Sequence, residues 1–189
     1  SGSPPKLSTS IASDHLRVRS GVLDIKEDLT LTVHTRKFNA LNVTAEDLEY
    51  LSNITELAFF GEGNKTVQDV RVRNSKYTHT FHLNLNLLNL AKKMGIEDKV
   101  IVPYKLNLYN EGCFFDVHRD TRRHGLVGSL ILILPTTYTG GNIIFGNFNL
   151  EETMPKDKLR FVYFDTGLDH LISKVTSGHR ITLAYNVFN

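Results

Sequence analysis

Cysteine is almost absent from this chain: Cys113 is the only one among 189 residues. No internal disulfide can form, so a disulfide framework is excluded and a reducing compartment is compatible with the composition. An excess of one charge sign is missing too. The formal net charge is +2, which offers no electrostatic argument for wrapping a phosphate backbone, so nucleic acid is not indicated; a local basic groove would still be compatible with it. No apolar run approaches the length that spans a bilayer, and the first residues lack the charged-then-apolar pattern of a secretory signal. The expectation is therefore an intracellular protein, cytoplasmic or nuclear, with no membrane partner. Internal repeats and long linkers are lacking as well. That predicts one domain over residues 21–189, after a flexible leader at 1–20 rich in Ser, Pro and charge. Ser1-Gly2-Ser3 reads as a cloning remnant, which leaves open a native targeting segment ahead of it.

What is present divides into a mixed N-terminal support, residues 21–100, and a β-rich core, residues 101–189. Val22-Leu23-Asp24-Ile25 and then Leu29 to Val33 alternate apolar with polar, which predicts an early pair of strands. Thr44, with Asp47 three residues on, reads as a helix N-cap. Leu48, Leu51, Ile54, Leu57 and Ala58 follow at helical spacing up to the Gly61-Glu62-Gly63 break. A second helix is expected to start near Asn84 or Asn86, to bury Leu87, Leu88, Ala91 and Met94, and to stop at Gly95. Beyond Val102 come short runs rich in Ile, Val, Leu, Phe and Tyr: Tyr104–Tyr109, Cys113–His118, Leu126–Leu134, Asn142–Phe145, Leu159–Phe164, Leu171–Val175 and Arg180–Phe188. Turn residues separate them, among them Asn110-Glu111-Gly112, Gly140-Gly141 and Thr176-Ser177-Gly178. The fold class expected is mainly β, a jelly roll or barrel, with the two helices packed outside it.

Two signals carry chemistry. In His118-Arg119-Asp120 the first and third residues point to one side of a strand end and can share a cation. A solvated strand end is the alternative for this pair. Far along the chain, His170 opens the run Leu171-Ile172. Two imidazoles and one carboxylate on one face of an octahedral ion leave positions open, which suits a redox iron that must take an organic ligand and O₂. A structural zinc site would fill four positions, usually with thiolates, and only one Cys is available. His170 could instead be an ordinary strand histidine bonded to its neighbour. Of the rival third ligands, His124 lies in the charged loop Thr121–Gly125, where histidines mostly face solvent. His179 is turned away from the side of Arg180 by alternation. The second signal is Arg180 itself, the tenth residue after His170 and the first inward residue of an apolar strand. A guanidinium there is costly unless a carboxylate meets it, and its planar fork suits bidentate capture of one. That carboxylate is either an acidic ligand from solution or an Asp or Glu of this chain.

Taken together, His118-x-Asp120, His170 and Arg180 resemble the Fe(II)- and 2-oxoglutarate-dependent dioxygenases, particularly their prolyl 4-hydroxylase-like branch. Tyr104-Lys105-Leu106-Asn107-Leu108-Tyr109-Asn110-Glu111-Gly112, Phe114-Phe115 and His118-Arg119-Asp120-Thr121 are similar to the first barrel strands of a group common in fungal sequences. Gly128-Ser129-Leu130 to Leu134-Pro135, Thr139-Gly140-Gly141, and Val175-Thr176-Ser177-Gly178-His179-Arg180 with Thr182-Leu183-Ala184-Tyr185-Asn186 continue the likeness. It reaches back through Val72-Arg73-Asn74 to Phe60-Gly61-Glu62-Gly63. The resemblance implies a double-stranded β-helix, with His118, Asp120 and His170 as metal ligands and catalytic centre. It also implies that Arg180 pairs with the distal carboxylate of 2-oxoglutarate. Asn107 and Tyr109 resemble an Asn-x-Tyr pattern that contacts 2-oxoglutarate in some relatives, though a buried polar pair satisfied by backbone is the plainer reading; Thr182 would add a hydroxyl. The implied cofactors are Fe(II), 2-oxoglutarate and O₂, with ascorbate in support. The implied reaction hydroxylates a C–H bond, a peptidyl proline being one candidate, and releases succinate and CO₂. Where some nucleic-acid demethylases of the superfamily carry a second Arg six residues after the first, this chain has Asn186, which weakens a repair reading.

Several alternatives stay open on sequence grounds. The chain could be a catalytically silent β-helix that binds metal or a protein partner, a cupin-type enzyme without 2-oxoglutarate, or a dioxygenase acting on small molecules or nucleic acid. A protein, peptide or small molecule would be the substrate, and fold resemblance cannot choose. Thr121–Gly125 and residues 61–77 are expected to line the mouth. The basic residues there, Lys65, Arg71, Arg73 and Lys76, would greet an acidic partner or form a solvated face.

Overall fold

The computed structural model of the chain describes residues 6–11, 17–58, 60–62, 65–67 and 69–189 (of 6–11, 60–62 and 65–67, the backbone). Its frame is an eight-stranded antiparallel sheet facing a five-stranded one. Across the large sheet run Lys6–Ile11, Val18–Asp24, Leu159–Asp165, Leu126–Ile133, Arg180–Phe188, Val100–Tyr109, Lys76–Thr78 and Glu56–Leu57. Across the small sheet run Phe148–Asn149, Ile143–Phe145, His170–Ile172, Phe114–His118 and Arg73–Asn74.

Alternation along the central strands decides what each face of the large sheet does. Leu106 and Leu108, Leu130 and Leu132, and Ile181, Leu183, Tyr185 and Val187 pack outward in one apolar cluster with Leu51, Leu90, Ala91 and Met94 of the two helices. The intervening residues turn inward between the sheets, where Ile133, Val162 and Phe164 meet Phe115, Ile143 and Ile172. Because the period is two, the strand Arg180–Phe188 that buries four apolar residues against the helices must point Arg180, Thr182 and Asn186 the other way. All three are buried nonetheless, and they line the space between the sheets.

The helices form where the caps direct. The first, α1 (Ala45–Ile54), starts at a complete capping box: Thr44 Oγ1 accepts from the Asp47 N–H at 3.2 Å, and Asp47 Oδ2 accepts from the Thr44 N–H at 2.9 Å. Arg36 Nε also donates to Asp47 Oδ1, at 3.0 Å. Burial opposes ionisation of Asp47, but the bonds from Thr44 and Arg36 outweigh it and hold the carboxyl below its ordinary range. A lowered folded-state value contributes stability above the unfolded pKa, ~3.9 for Asp, and loses it as pH falls through the folded value. Asp47→Asn is therefore expected to cost about 1–2 kcal/mol at neutral pH. In thermal melts the gap from the parent protein should narrow as pH falls below the ordinary carboxylate range and through the lowered folded-state value. A gap independent of pH would show that the charge contributes nothing.

The second helix, α2 (Leu87–Met94), has Asn86 as N-cap and ends on Gly95 in the left-handed conformation, φ 71°. Its buried residues are Leu90, Ala91 and Met94, whereas Leu88, expected in the core, is 54 % exposed. Ala91 and Met94 are buried as expected and Leu87 packs half-buried against the core, so the stripe stands except that Leu90 takes the place expected for Leu88.

Other expectations are also corrected. The apolar spacing was read as helix through Leu57 and Ala58, yet α1 stops at Ile54. Thr55 is extended and turns both its N–H and its hydroxyl back to the Leu51 carbonyl. Glu56–Leu57 then joins the large sheet beside Lys76–Tyr77. The two early strands are present but sit in different sheets: Val18–Asp24 lies against Leu159–Asp165, while Thr30–Val33 joins Arg36–Asn39 and Phe81–Leu83 in a separate three-stranded sheet. The expected leader is strand over Lys6–Ile11, paired with Val18–Asp24; residues 1–5 and 12–16 lie outside the described residues. Main-chain bonds to a sheet edge need no apolar side chains, so composition did not reveal them. Finally, Leu171–Val175 is not one strand. His170–Ile172 joins the small sheet and Val175–Gly178 pairs with Tyr138–Gly140.

Candidate metal centre and its cavity

The antiparallel register of Phe114–His118 and His170–Ile172 places His118 directly opposite His170. Facing residues of such a pair have Cβ atoms about 4.5–5.5 Å apart, so the two imidazoles meet although they are distant in the chain. Their ring centroids are 4.2 Å apart. Asp120, two residues beyond His118, completes the group: one ligand atom from each of His118, Asp120 and His170 lies within 4.8 Å of the others. Asp120 Oδ1 is 3.5 Å from His170 Nε2.

Each donor is oriented by a bond on its far side. His118 Nδ1 is 2.7 Å from the Asp116 carbonyl, and His170 Nδ1 is 3.0 Å from the Leu168 carbonyl. A carbonyl only accepts, so each Nδ1 carries a proton and donates it, and Nε2 is the ring nitrogen left to each histidine for a ligand bond. Asp120 Oδ2 accepts from Ser129 Oγ at 2.6 Å, leaving Oδ1 toward the histidines. Phe115 stacks on His118 with centroids 3.4 Å apart and 8° between planes, and Phe164 lies 4.7 Å from His170. Burial first, and then the neighbouring His170, pushes the His118 imidazole down to about 3, so at neutral pH its lone pair is free. Two imidazoles and a carboxylate on one side of a common point, with no thiolate among them, suit a non-haem Fe(II) centre with open positions.

The group stands at a cavity of about 260 Å³. Asn107, Tyr109, Thr182 and Arg180 all line it, along with the three candidate ligands. The strands set their order: Asn107 lies opposite Thr182 and Tyr109 opposite Arg180. His179 points elsewhere, its Nδ1 being 2.7 Å from Asn110 Oδ1, and His124 is exposed.

Arg180 is 1 % exposed and does meet a carboxylate of this chain. Its Nη2 donates to Glu151 Oε1 at 2.5 Å. Glu151 Oε2 accepts from the Tyr138 hydroxyl at 3.2 Å, and Tyr138 in turn accepts from Arg160 Nη2 at 2.7 Å. Burial opposes the Arg180 charge, but Glu151 and Tyr138 hold the guanidinium well above its ordinary range. Among the described residues the buried cluster holds two guanidiniums to one carboxylate, and Arg180 Nε, Arg160 Nε and Arg160 Nη1 hydrogen-bond to no acceptor. Gly141 makes the room. At φ 63°, a Cβ there would meet Val175 Cγ2 at 2.7 Å and Arg180 Cδ at 3.2 Å.

Four participants were missed or misplaced by sequence reasoning. Glu151 sits in a short 3-10 turn, Leu150–Thr153, with no periodicity to mark it. Ser129 and Arg160 had a signal, a polar residue inside an apolar strand run. Arg73 was grouped with a basic surface segment but is buried in the cavity wall. Its Nη2 donates to Asn107 Oδ1 at 3.1 Å and its guanidinium lies 4.1 Å from the Phe115 ring centroid. Of its companions, Arg71 is exposed and paired with Asp69, and Lys76 donates to the Ser52 carbonyl; the Lys65 side chain lies outside the described residues.

No family model matches the sequence and no curated protein matches it. Solved structures do. A prolyl hydroxylase from Trichoplax adhaerens, in complex with a hypoxia inducible factor oxygen degradation domain peptide fragment, is 12 % identical over 86 % of this chain and 84 % of its own, with a TM-score of 0.52. A Pseudomonas putida prolyl-4-hydroxylase is 13 % identical over 87 % of this chain and 94 % of its own, with a TM-score of 0.51. An oxidoreductase of the 2OG-Fe(II) oxygenase family from Burkholderia pseudomallei also matches, 13 % identical over 76 % of this chain and 79 % of its own, with a TM-score of 0.45. Among the described residues no helix is long and apolar enough to cross a membrane. At these identities the likeness is one of fold, and the fold of this chain is the double-stranded β-helix of the prolyl hydroxylases.

Proposed function

We propose that the chain is an Fe(II)- and 2-oxoglutarate-dependent dioxygenase that hydroxylates a C–H bond of a peptide or protein, with a prolyl residue as the first substrate to test. The observation that supports it most is the convergence of His118 Nε2, His170 Nε2 and Asp120 Oδ1 beside a cavity with a buried guanidinium in its wall. Fe(II) with 2-oxoglutarate and O₂ supplies the oxidation, releasing succinate and CO₂. The protein supplies the rest. The Asp116 and Leu168 carbonyls and the Ser129 hydroxyl orient the ligands, and Phe115 and Phe164 shield the imidazoles from water. Arg180 anchors the distal carboxylate of 2-oxoglutarate. The excess guanidinium and the unused Nε donors support that role, since one further carboxylate would balance the cluster. Asn107, Tyr109 and Thr182 present their polar ends to the same ligand.

The Glu151–Arg180 pair favours a second reading, in which the guanidinium is structural and the β-helix is a metal-binding or protein-interaction module. One titration separates the two. Anaerobic Fe(II) followed by 2-oxoglutarate is expected to produce a weak visible charge-transfer band, and aerobic assays with ascorbate to yield succinate. Fe(II) binding with no band and no succinate would leave the module.

A further inference from the structure

The cavity has a second cationic end that the proposed anchoring of 2-oxoglutarate does not use. Lys105 belongs to the same strand as Asn107 and Tyr109 and points the same way, because alternate residues share a face. It lies opposite Ala184, two residues nearer than Thr182 to Asn186, which pairs with Ser129, the residue that holds Asp120. Lys105 therefore stands toward the candidate metal, and Arg180 at the far end.

The Lys105 surroundings are built rather than incidental. Its Nζ lies 4.7 Å from the Tyr77 ring centroid and 5.0 Å from that of Tyr104. The Arg123 guanidinium lies 5.0 Å from the same Tyr104 ring, and its Nη2 is 3.3 Å from the Tyr104 hydroxyl. His79 packs against both tyrosines and bonds through Nδ1 to the Tyr104 carbonyl at 2.8 Å. Burial, and then the Arg73 and Arg123 charges, push the Lys105 ammonium down to about 8. Among the described residues neither Lys105 nor Arg123 forms an ion pair with a carboxylate, although Arg119, at the same mouth, is paired with Asp169. A half-buried ammonium among like charges is costly unless an anion meets it, and aromatic faces offset only part of that cost.

We infer that Lys105 and Arg123, held on Tyr77 and Tyr104, form an anion subsite at the cavity mouth that takes the acidic side chain of a peptide substrate. The inference deepens the proposed function by naming a feature of the substrate, and it rests on that reading for the word substrate. The occupant is a peptide rather than a single-stranded nucleic acid because the tyrosine faces are already covered by cations and by His79. Base stacking, the main sequence-tolerant contact of single strands, needs those faces open. The carboxylate-sized charge fits a subsite of two cations, whereas the chain as a whole, at +2, carries no extended basic track.

Binding tests the subsite without requiring turnover. The probes are a fluorescein-labelled peptide alternating Glu and Pro, the same peptide with Gln for Glu, and a labelled oligothymidine. Anisotropy at low salt should show the Glu peptide binding at least tenfold more tightly than the other two. Lys105→Gln should remove about tenfold of that preference, Arg123→Gln several-fold, and added salt should weaken the parent protein more than either variant. Circular dichroism and thermal melts check that both variants fold; because Arg123 is exposed, that variant reads the subsite even if Lys105→Gln is unstable. Equal binding of the Glu and Gln peptides overturns the inference. So does tighter oligothymidine binding, or indifference of the Glu peptide to both substitutions. Loss of the Fe(II)–2-oxoglutarate band with Lys105-dependent peptide binding intact would sink the proposed function and leave the subsite standing.

Discussion

Asp120→Ala is expected to abolish Fe(II)-dependent succinate production and to lower Fe(II) affinity by more than the roughly 10- to 100-fold typical of losing an outer partner of a ligand. Only one carboxylate contributes to the group, and no neighbouring acidic residue belongs to it among the described residues. Ser129→Ala supplies the internal scale. It removes the hydroxyl that holds Asp120 Oδ2 at 2.6 Å while leaving all three donors, so it should fall within that roughly 10- to 100-fold range. Both are read by anaerobic Fe(II) titration. If Asp120→Ala binds Fe(II) as the parent does, the His118–Asp120–His170 group is not the metal centre.

The second large effect is at the buried ion cluster, where stability and ligand binding are entangled and must be separated. Glu151→Ala strands two guanidiniums, both of them in the core. Removing one partner of a buried pair costs about 3–5 kcal/mol. For a chain of this size that corresponds to a fall in Tm of roughly 6–20 °C. Arg180→Ala should likewise destabilise the fold. In addition it should raise the 2-oxoglutarate requirement roughly 10- to 150-fold, the equivalent of about 1.5–3 kcal/mol for a charge-assisted bond. The double variant Arg180→Leu with Glu151→Leu distinguishes the two roles. The Arg180–Glu151 pair is then replaced whole by apolar groups, which is often neutral, but Arg160 still loses its carboxylate, so only the part of the Tm that belongs to Arg180 should return. The 2-oxoglutarate requirement should not, if Arg180 anchors the cosubstrate. Recovery of both would make the guanidinium purely structural.

Much of the fold was legible because its signals are local. Thr44 with Asp47, and Asn86 with Gly95, mark helix ends through bonds spanning two to four residues, and those bonds are in the structure. The alternation in Arg180–Phe188 separates helix-facing Ile181, Leu183, Tyr185 and Val187 from inward Arg180, Thr182 and Asn186, because successive side chains leave a strand on opposite sides. Where local rules competed, reading failed. Leu57 fits the helical stripe, but a main-chain bond from Ala58 to Ser75 and pairing with Lys76 draw that stretch into the sheet.

By itself, then, the sequence determined which residues could carry chemistry: a His and Asp two apart at a strand end, a later His, and an arginine that alternation turns inward. Tertiary structure alone decided what those residues meet. It set His118 opposite His170, tied their Nδ1 atoms to carbonyls, and brought Glu151 from a short turn onto Arg180. It also moved Arg73 from an apparent surface run into the cavity wall. The physical reason is range. Caps and alternation are contacts between near neighbours and leave a periodic mark in the chain, whereas a register between distant strands or a charge pair across a core is chosen by the summed burial of everything around it and leaves none.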